Sequence, residues 1–149
     1  MNKRELTNKI KDLLIVREDD GSYVMFAKYR IVPDNLGNFN LYDIIEDLLV
    51  YNFSSLQNAV TYCVFSNNRK IKESKRIIEL DDTISSLDAV ILQHKNLLGK
   101  TKDIEIRSIY TAKLNEEKIK KQLMLKEIND FISTSKYWQN KKFSENEGK

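Results

Sequence analysis

The chain is poor in the residues that most often declare a function. It has 1 cysteine, 1 histidine, 1 proline and 4 glycines in 149 residues. A lone cysteine excludes a disulfide framework and a cysteine zinc site, and a lone histidine excludes a histidine-cluster metal site. No apolar run approaches the roughly 18 residues of a membrane span, and Met1 to Asp12 lacks the apolar region of a secretion signal. Neither a membrane nor a secreted protein is expected, and no cofactor. An excess of one charge is missing too: 25 basic against 22 acidic side chains leave +3, too weak a field to point to nucleic acid by itself. With 41% apolar and 32% charged residues, the chain is polar for a globular domain yet too apolar for a disordered one. Its length fits one domain, or a small domain with a helical appendage. The composition points to a soluble intracellular protein without evident catalytic equipment.

What is present is unevenly distributed. Residues 1–67 carry 7 basic and 9 acidic side chains, whereas residues 68–149 carry 18 and 13. Of the 14 aromatic residues, 9 lie in the first 67, and none falls between Ser66 and Ile109. The expected class is α+β: a small head of β-hairpin and helix over 1–67, a long antiparallel two-helix hairpin over 68–143, and a disordered tail over 144–149.

In the head, Leu13 to Arg17 and Tyr23 to Val32 read as two strands. Asp20-Gly21 forms the turn between them, because glycine takes positive φ at low cost. Tyr23, Met25, Ala27, Tyr29 and Ile31 share one face of the second strand. Val24, Phe26, Lys28, Arg30 and Val32 share the other, where two charges favour solvent. Leu41, Ile44, Ile45, Leu48 and Leu49 then recur at helical spacing, with Asn40 as N-cap. Val50 to Phe53 allows a short third strand, so residues 41–53 are open between helix and strand. Ser54 and Gln57 have capping-box spacing ahead of the stripe Leu56, Ala59, Val60, Cys63 and Val64, which is expected to cover the hairpin.

The second part has a clearer period. Ile77, Leu80, Ile84, Leu87, Ile91, His94 and Leu98 alternate spacings of three and four, a helix-pairing seam of coiled-coil type with one polar member. Gly99 is expected to close this helix and Thr101 to cap the next, which runs from about Asp103 to about Trp138. The two helices should measure about 40 and about 50 Å. The polar stretch Asn115 to Gln122 interrupts the second helix and is expected to overhang solvent or a partner.

Candidate functional residues are few. His94 reads either as a register-setting or pH-sensitive polar group or as a seam-edge side chain bonded to a neighbour; no base or nucleophile stands at helical spacing to it. Cys63, on an apolar stripe, reads as core. Adjacent carboxylates such as Glu46-Asp47 and Asp81-Asp82 diverge if helical. No phosphate loop, nucleophile elbow or calcium loop is present. Two basic clusters are candidate contacts for a partner or nucleic acid. The first is Arg69, Lys72, Lys75 and Arg76, either at a helix start or, if the preceding helix runs on, along a solvated face. The second is Lys136, Tyr137, Trp138, Lys141 and Lys142, whose interleaving suits single-stranded nucleic acid or docking of aromatic anchors.

Phe53 to Cys63, followed by the helical stretches Leu80 to Leu98 and Tyr110 to Phe143, resembles small uncharacterised proteins encoded by marine tailed phages. The resemblance covers residues 50–143. It implies a phage origin, and with it a location in the infected host's cytoplasm or in the virion, but no activity and no functional residue. The expected function is a non-enzymatic interaction protein presenting its helical hairpin to itself or to a partner protein, as a virion component or host-directed factor. The alternative is a nucleic-acid-associated protein using the basic clusters.

Overall fold

The computed structural model describes residues 16–135, and the fold is α+β. Five strands form an antiparallel meander in chain order: β1 (Val16–Arg17), β2 (Tyr23–Met25), β3 (Tyr29–Pro33), β4 (Phe39–Asp43) and β5 (Leu48–Phe53). Three helices follow, α1 (Leu56–Asn67), α2 (Ile71–Lys100) and α3 (Ile104–Thr134). The expectations for Leu13 to Ile15, for Lys136 to Phe143 and for the 144–149 tail lie outside the described residues.

The first turn forms where its composition predicts it. Gly21 takes φ +87°, and Val16 and Arg17 face Val24 and Tyr23 across the pair. The strand expected over Tyr23 to Val32, however, turns back on itself. Phe26 and Ala27 both adopt left-handed backbone, at φ +56° and +51°, and the Lys28 N–H donates to the Met25 carbonyl at 3.0 Å. Such two-residue turns ordinarily take Asn-Gly, so nothing in the composition marks this one. Within the strands the expected faces hold: Met25, Tyr29 and Ile31 are buried, while Val24, Arg30 and Val32 are partly exposed. Ala27 sits exposed at the turn.

Residues 41–53 are strand, not helix. Asn40 caps nothing; it stands between Val32 and Asn52 in the sheet. Leu41 is buried, but Ile44, Ile45, Leu48 and Leu49 are exposed around the β4–β5 turn. There the Asp43 carboxylate accepts the Glu46 N–H at 2.9 Å, and Asp47 takes φ +51°. The helical spacing was real, but β3 offers β4 a full ladder from Tyr29–Asp43 to Pro33–Phe39. That pairing overrides a weak local preference. Val50 to Phe53 form the inner part of β5, beyond a bulge near Leu41 and Tyr42.

Helix α1 starts one residue later than expected: Ser55, not Ser54, is the N-cap and accepts the Asn58 N–H at 3.1 Å. Its stripe Ala59, Val60, Cys63 and Val64 is buried against Met25, Tyr29, Ile31, Leu41 and Phe53. Ile77 and Leu80 of α2 and Ile128 of α3 complete the same core, and the Phe65 and Phe131 rings meet edge-on at 5.5 Å. Full burial of each aliphatic side chain contributes about 2 kcal/mol. Helices α1 and α2 are separate, because Arg69 leaves helical geometry at φ +62°.

Gly99 does not end α2; the helix continues to Lys100, with Thr101 as its C-cap. The Arg107 guanidinium donates to the Leu98 and Thr101 carbonyls at 2.6 and 3.1 Å, so a side chain satisfies acceptors that the backbone N–H groups of a glycine cap would otherwise serve. Asp103, not Thr101, caps α3, accepting the Glu105 and Ile106 N–H groups at 2.9 and 3.3 Å. With 30 and 31 residues, α2 and α3 are each about 45 Å long.

Candidate interaction surfaces

Of the seven expected seam residues, Ile77, Leu80, Leu87 and Ile91 are buried, and Ile84, His94 and Leu98 are half-buried. Helix α3 has a matching row at spacings of three and four: Tyr110, Leu114, Glu117, Lys121, Met124, Ile128 and Phe131, all buried or half-buried. Early α2 meets late α3, and late α2 meets early α3. Arg76 donates to Glu127 from Nε at 2.6 Å and from the guanidinium terminus at 3.0 Å. Asp88 pairs with Lys121. His94 Nδ1 lies 2.8 Å from a Glu117 carboxylate oxygen, and its ring lies 5.5 Å from that of Tyr110.

The polar stretch of α3 is therefore no simple overhang. Glu117 and Lys121 turn toward α2 and find His94 and Asp88 there, while Lys118, Ile119 and Lys120 face solvent. His94 is a seam residue bonded to a neighbour. That neighbour is 23 positions away, beyond anything helical spacing along one helix reveals.

The first basic cluster divides. Arg69, Lys72 and Lys75 are exposed beside the α1–α2 break, and none of them has a carboxylate partner among the described residues. Arg76 is held between Glu127 and Glu79. Their hydrogen bonds and charge raise the guanidinium's pKa further, and Arg76 in turn holds the Glu127 carboxyl below the usual carboxylate range. Arg76 is a contact of the fold. No side chain caps the start of α2, where Lys70 is the N-cap and extends its ammonium over the Phe65 ring at 5.8 Å. Lys136, Tyr137, Trp138, Lys141 and Lys142 lie outside the described residues.

Two buried groups could carry chemistry elsewhere, but their settings are structural. Cys63 is fully buried, and burial pushes its thiol well up, away from the reactive thiolate. Asp81 is 1% exposed. Its carboxylate accepts the Ser54 N–H at 3.2 Å, the Ser54 hydroxyl at 2.7 Å and the Asn58 amide at 2.8 Å. Sequence reasoning missed this site, since an Asp-Asp pair on a polar helix face carries no burial signal. Among the described residues no cluster of three or more metal-ligating side chains forms, and no helix is long and apolar enough to cross a membrane.

Besides Leu36 in the β3–β4 loop and Ile71 at the start of α2, large apolar side chains remain exposed in two groups. One is the β4–β5 turn, with Ile44, Ile45, Leu48 and Leu49. The other is the length of α2 and α3 beyond the shared core, with Leu92, Ile104, Ile109, Ile119 and Leu123. Ile119 and Leu123 border a shallow surface groove with Lys118, Gln122 and Lys126. Comparison with protein-family models, with curated proteins and with solved structures returns no match to this chain.

Proposed function

We propose that the chain is a non-enzymatic interaction protein whose α2–α3 pair, an antiparallel helical hairpin of coiled-coil type, is the surface presented to its own copies or to a partner protein. The observation that carries this reading is the run of aliphatic side chains left exposed along the two helices, with Ile119 and Leu123 64% and 65% exposed and Ile104 83%. Scattered apolar residues are ordinary on a surface; several along one pair of helices suit a helix-in-groove or helix-on-helix contact. A phage origin would make the partner a virion protein or a protein of the infected cell.

Lysine-directed crosslinking of the full chain in cells that express it tests the reading. Crosslinks to other chains are expected at Lys95, Lys100, Lys102 and Lys118, and they should weaken in Ile109→Asp and Leu92→Asp variants. Crosslinks confined to Lys28, in the β2–β3 turn, would overturn it.

The second reading is nucleic-acid association through Arg69, Lys72 and Lys75, favoured by their exposure at the α1–α2 break without partners among the described residues. It requires binding that falls steeply with salt and disappears when the three are changed to glutamate. Binding equal at low and high salt would exclude it.

A further inference from the structure

The outer face of α3, turned away from α2, carries a second row at spacings of three and four: Ala112, Glu116, Ile119, Leu123, Lys126 and Asp130, all exposed. Its middle reads the same in both directions: Glu116 and Lys126 stand three residues outside Ile119 and Leu123, which are four apart. Neither Glu116 nor Lys126 has a charged partner among the described residues. We propose that this row is a two-fold, antiparallel docking surface for the α3 of a second copy of the chain.

The pattern selects both partner and orientation. With α3 laid antiparallel on its own copy and centred between Ile119 and Leu123, each Ile119 meets the other copy's Leu123. Each Glu116 then meets the other copy's Lys126, and both contacts occur twice. Lys120 falls opposite Gln122 and meets no like charge. A parallel arrangement in register would instead set Glu116 against Glu116 and Lys126 against Lys126, an arrangement of like charges that electrostatics disfavours. The two-fold contact uses the same patch on both copies, so it closes at a dimer and does not propagate. The groove beside Ile119 and Leu123 gives the opposing aliphatic side chains a seat between ridges. From Ala112 to Asp130 the row spans about 27 Å. A contact along one such row of a single helix is small beside the ~800 Å² per partner of a standard interface, so the dimer should depend on concentration.

This inference rests on the self-association arm of the proposed function and names its surface. Sedimentation equilibrium of the full chain from micromolar to millimolar concentration tests it. The wild type should pass from monomer to dimer as concentration rises. Glu116→Lys and Lys126→Glu should each remain monomeric, because each places like charges face to face. The double variant E116K/K126E should regain the dimer, since every facing pair is again opposite in sign. All of these positions are exposed, so unchanged helical circular dichroism in each variant is expected. A wild-type mass independent of concentration overturns the proposal, and leaves presentation to a different protein to be decided by crosslinking. Dimerisation undiminished in both single variants, or not restored in the double, also overturns it, while self-association through another face of the helices survives.

Discussion

Asp81, in the first half of α2, receives the backbone N–H and the hydroxyl of Ser54 at 3.2 and 2.7 Å, although the two residues are 27 positions apart. Ser54 sits at the corner where β5 ends and α1 begins. Asn58, in the first turn of α1, adds its amide at 2.8 Å. One carboxylate thus gathers donors from the sheet-to-helix corner and fixes that corner against the long helix. A buried charge is stable in such a position only when its oxygens are filled with donors, and here they are.

Replacing Asp81 by alanine removes the acceptor shared by Ser54 and Asn58. The expected loss is about 2 kcal/mol, the scale for hydrogen bonds to a charged group. Asp81→Asn keeps one acceptor oxygen and should lose less. Urea unfolding of both variants checks the order; equal stability of wild type and Asp81→Ala would show that the corner is held by packing alone.

At Ala27 the β2–β3 turn carries strain that no contact requires. Phe26 packs against the core, so its φ of +56° is bound to that burial, but Ala27 is exposed at φ +51°. Left-handed backbone costs a residue with a Cβ about 1–2 kcal/mol, partly offset by the greater unfolded-state freedom of glycine. Ala27→Gly should therefore stabilise the chain by about 0.5–1 kcal/mol, read as a higher melting temperature. A fall in melting temperature would contradict the strained turn.

That turn also shows which parts of the fold the sequence makes legible. The α2 seam from Ile77 to Leu98 can be read because its spacing of three and four repeats over 22 residues, and burial follows it. Phe26-Ala27 could not be read as a turn, because long-range packing of the Phe26 ring sets its backbone and turn chemistry does not. Leu41 to Leu49 misled for the opposite reason: their helical spacing is present, but Ile44, Ile45, Leu48 and Leu49 bury no face. The exposed cations Arg69, Lys72 and Lys75 follow from local charge density. The capture of Arg76 by Glu127, 51 residues later, depends on how α3 returns along α2, and charge density carries no trace of it.

Alkaline pH should act through Tyr51. Burial first, and then the Asp81 and Asp82 carboxylates, push its phenol well above the ordinary value of 10.0. The folded chain thus keeps a proton that the unfolded chain releases near pH 10. Stability from this source is complete below about pH 10 and falls as pH rises beyond it. Tyr51→Phe should flatten the decline in urea stability between pH 9 and pH 11. An unchanged slope would mean that the phenol titrates alike in both states.

The paired polar layer between α2 and α3 makes the most discriminating stability test. His94 and Glu117 are half-buried on facing rows, 2.8 Å apart, with Asp88 and Lys121 paired beside them. Removing one member of a half-buried pair strands the other, whereas replacing both by aliphatic residues of similar volume removes the desolvation cost altogether. His94→Leu alone should thus destabilise by about 1 kcal/mol. Combining it with Glu117→Leu should reverse the sign, giving a gain of about 1 kcal/mol over wild type. Urea unfolding of the wild type, both single variants and the double variant forms a closed thermodynamic cycle. If the two single losses simply add, His94 and Glu117 do not interact across the helices. A double variant more stable than wild type would show that the polar pair costs the fold stability relative to an aliphatic one.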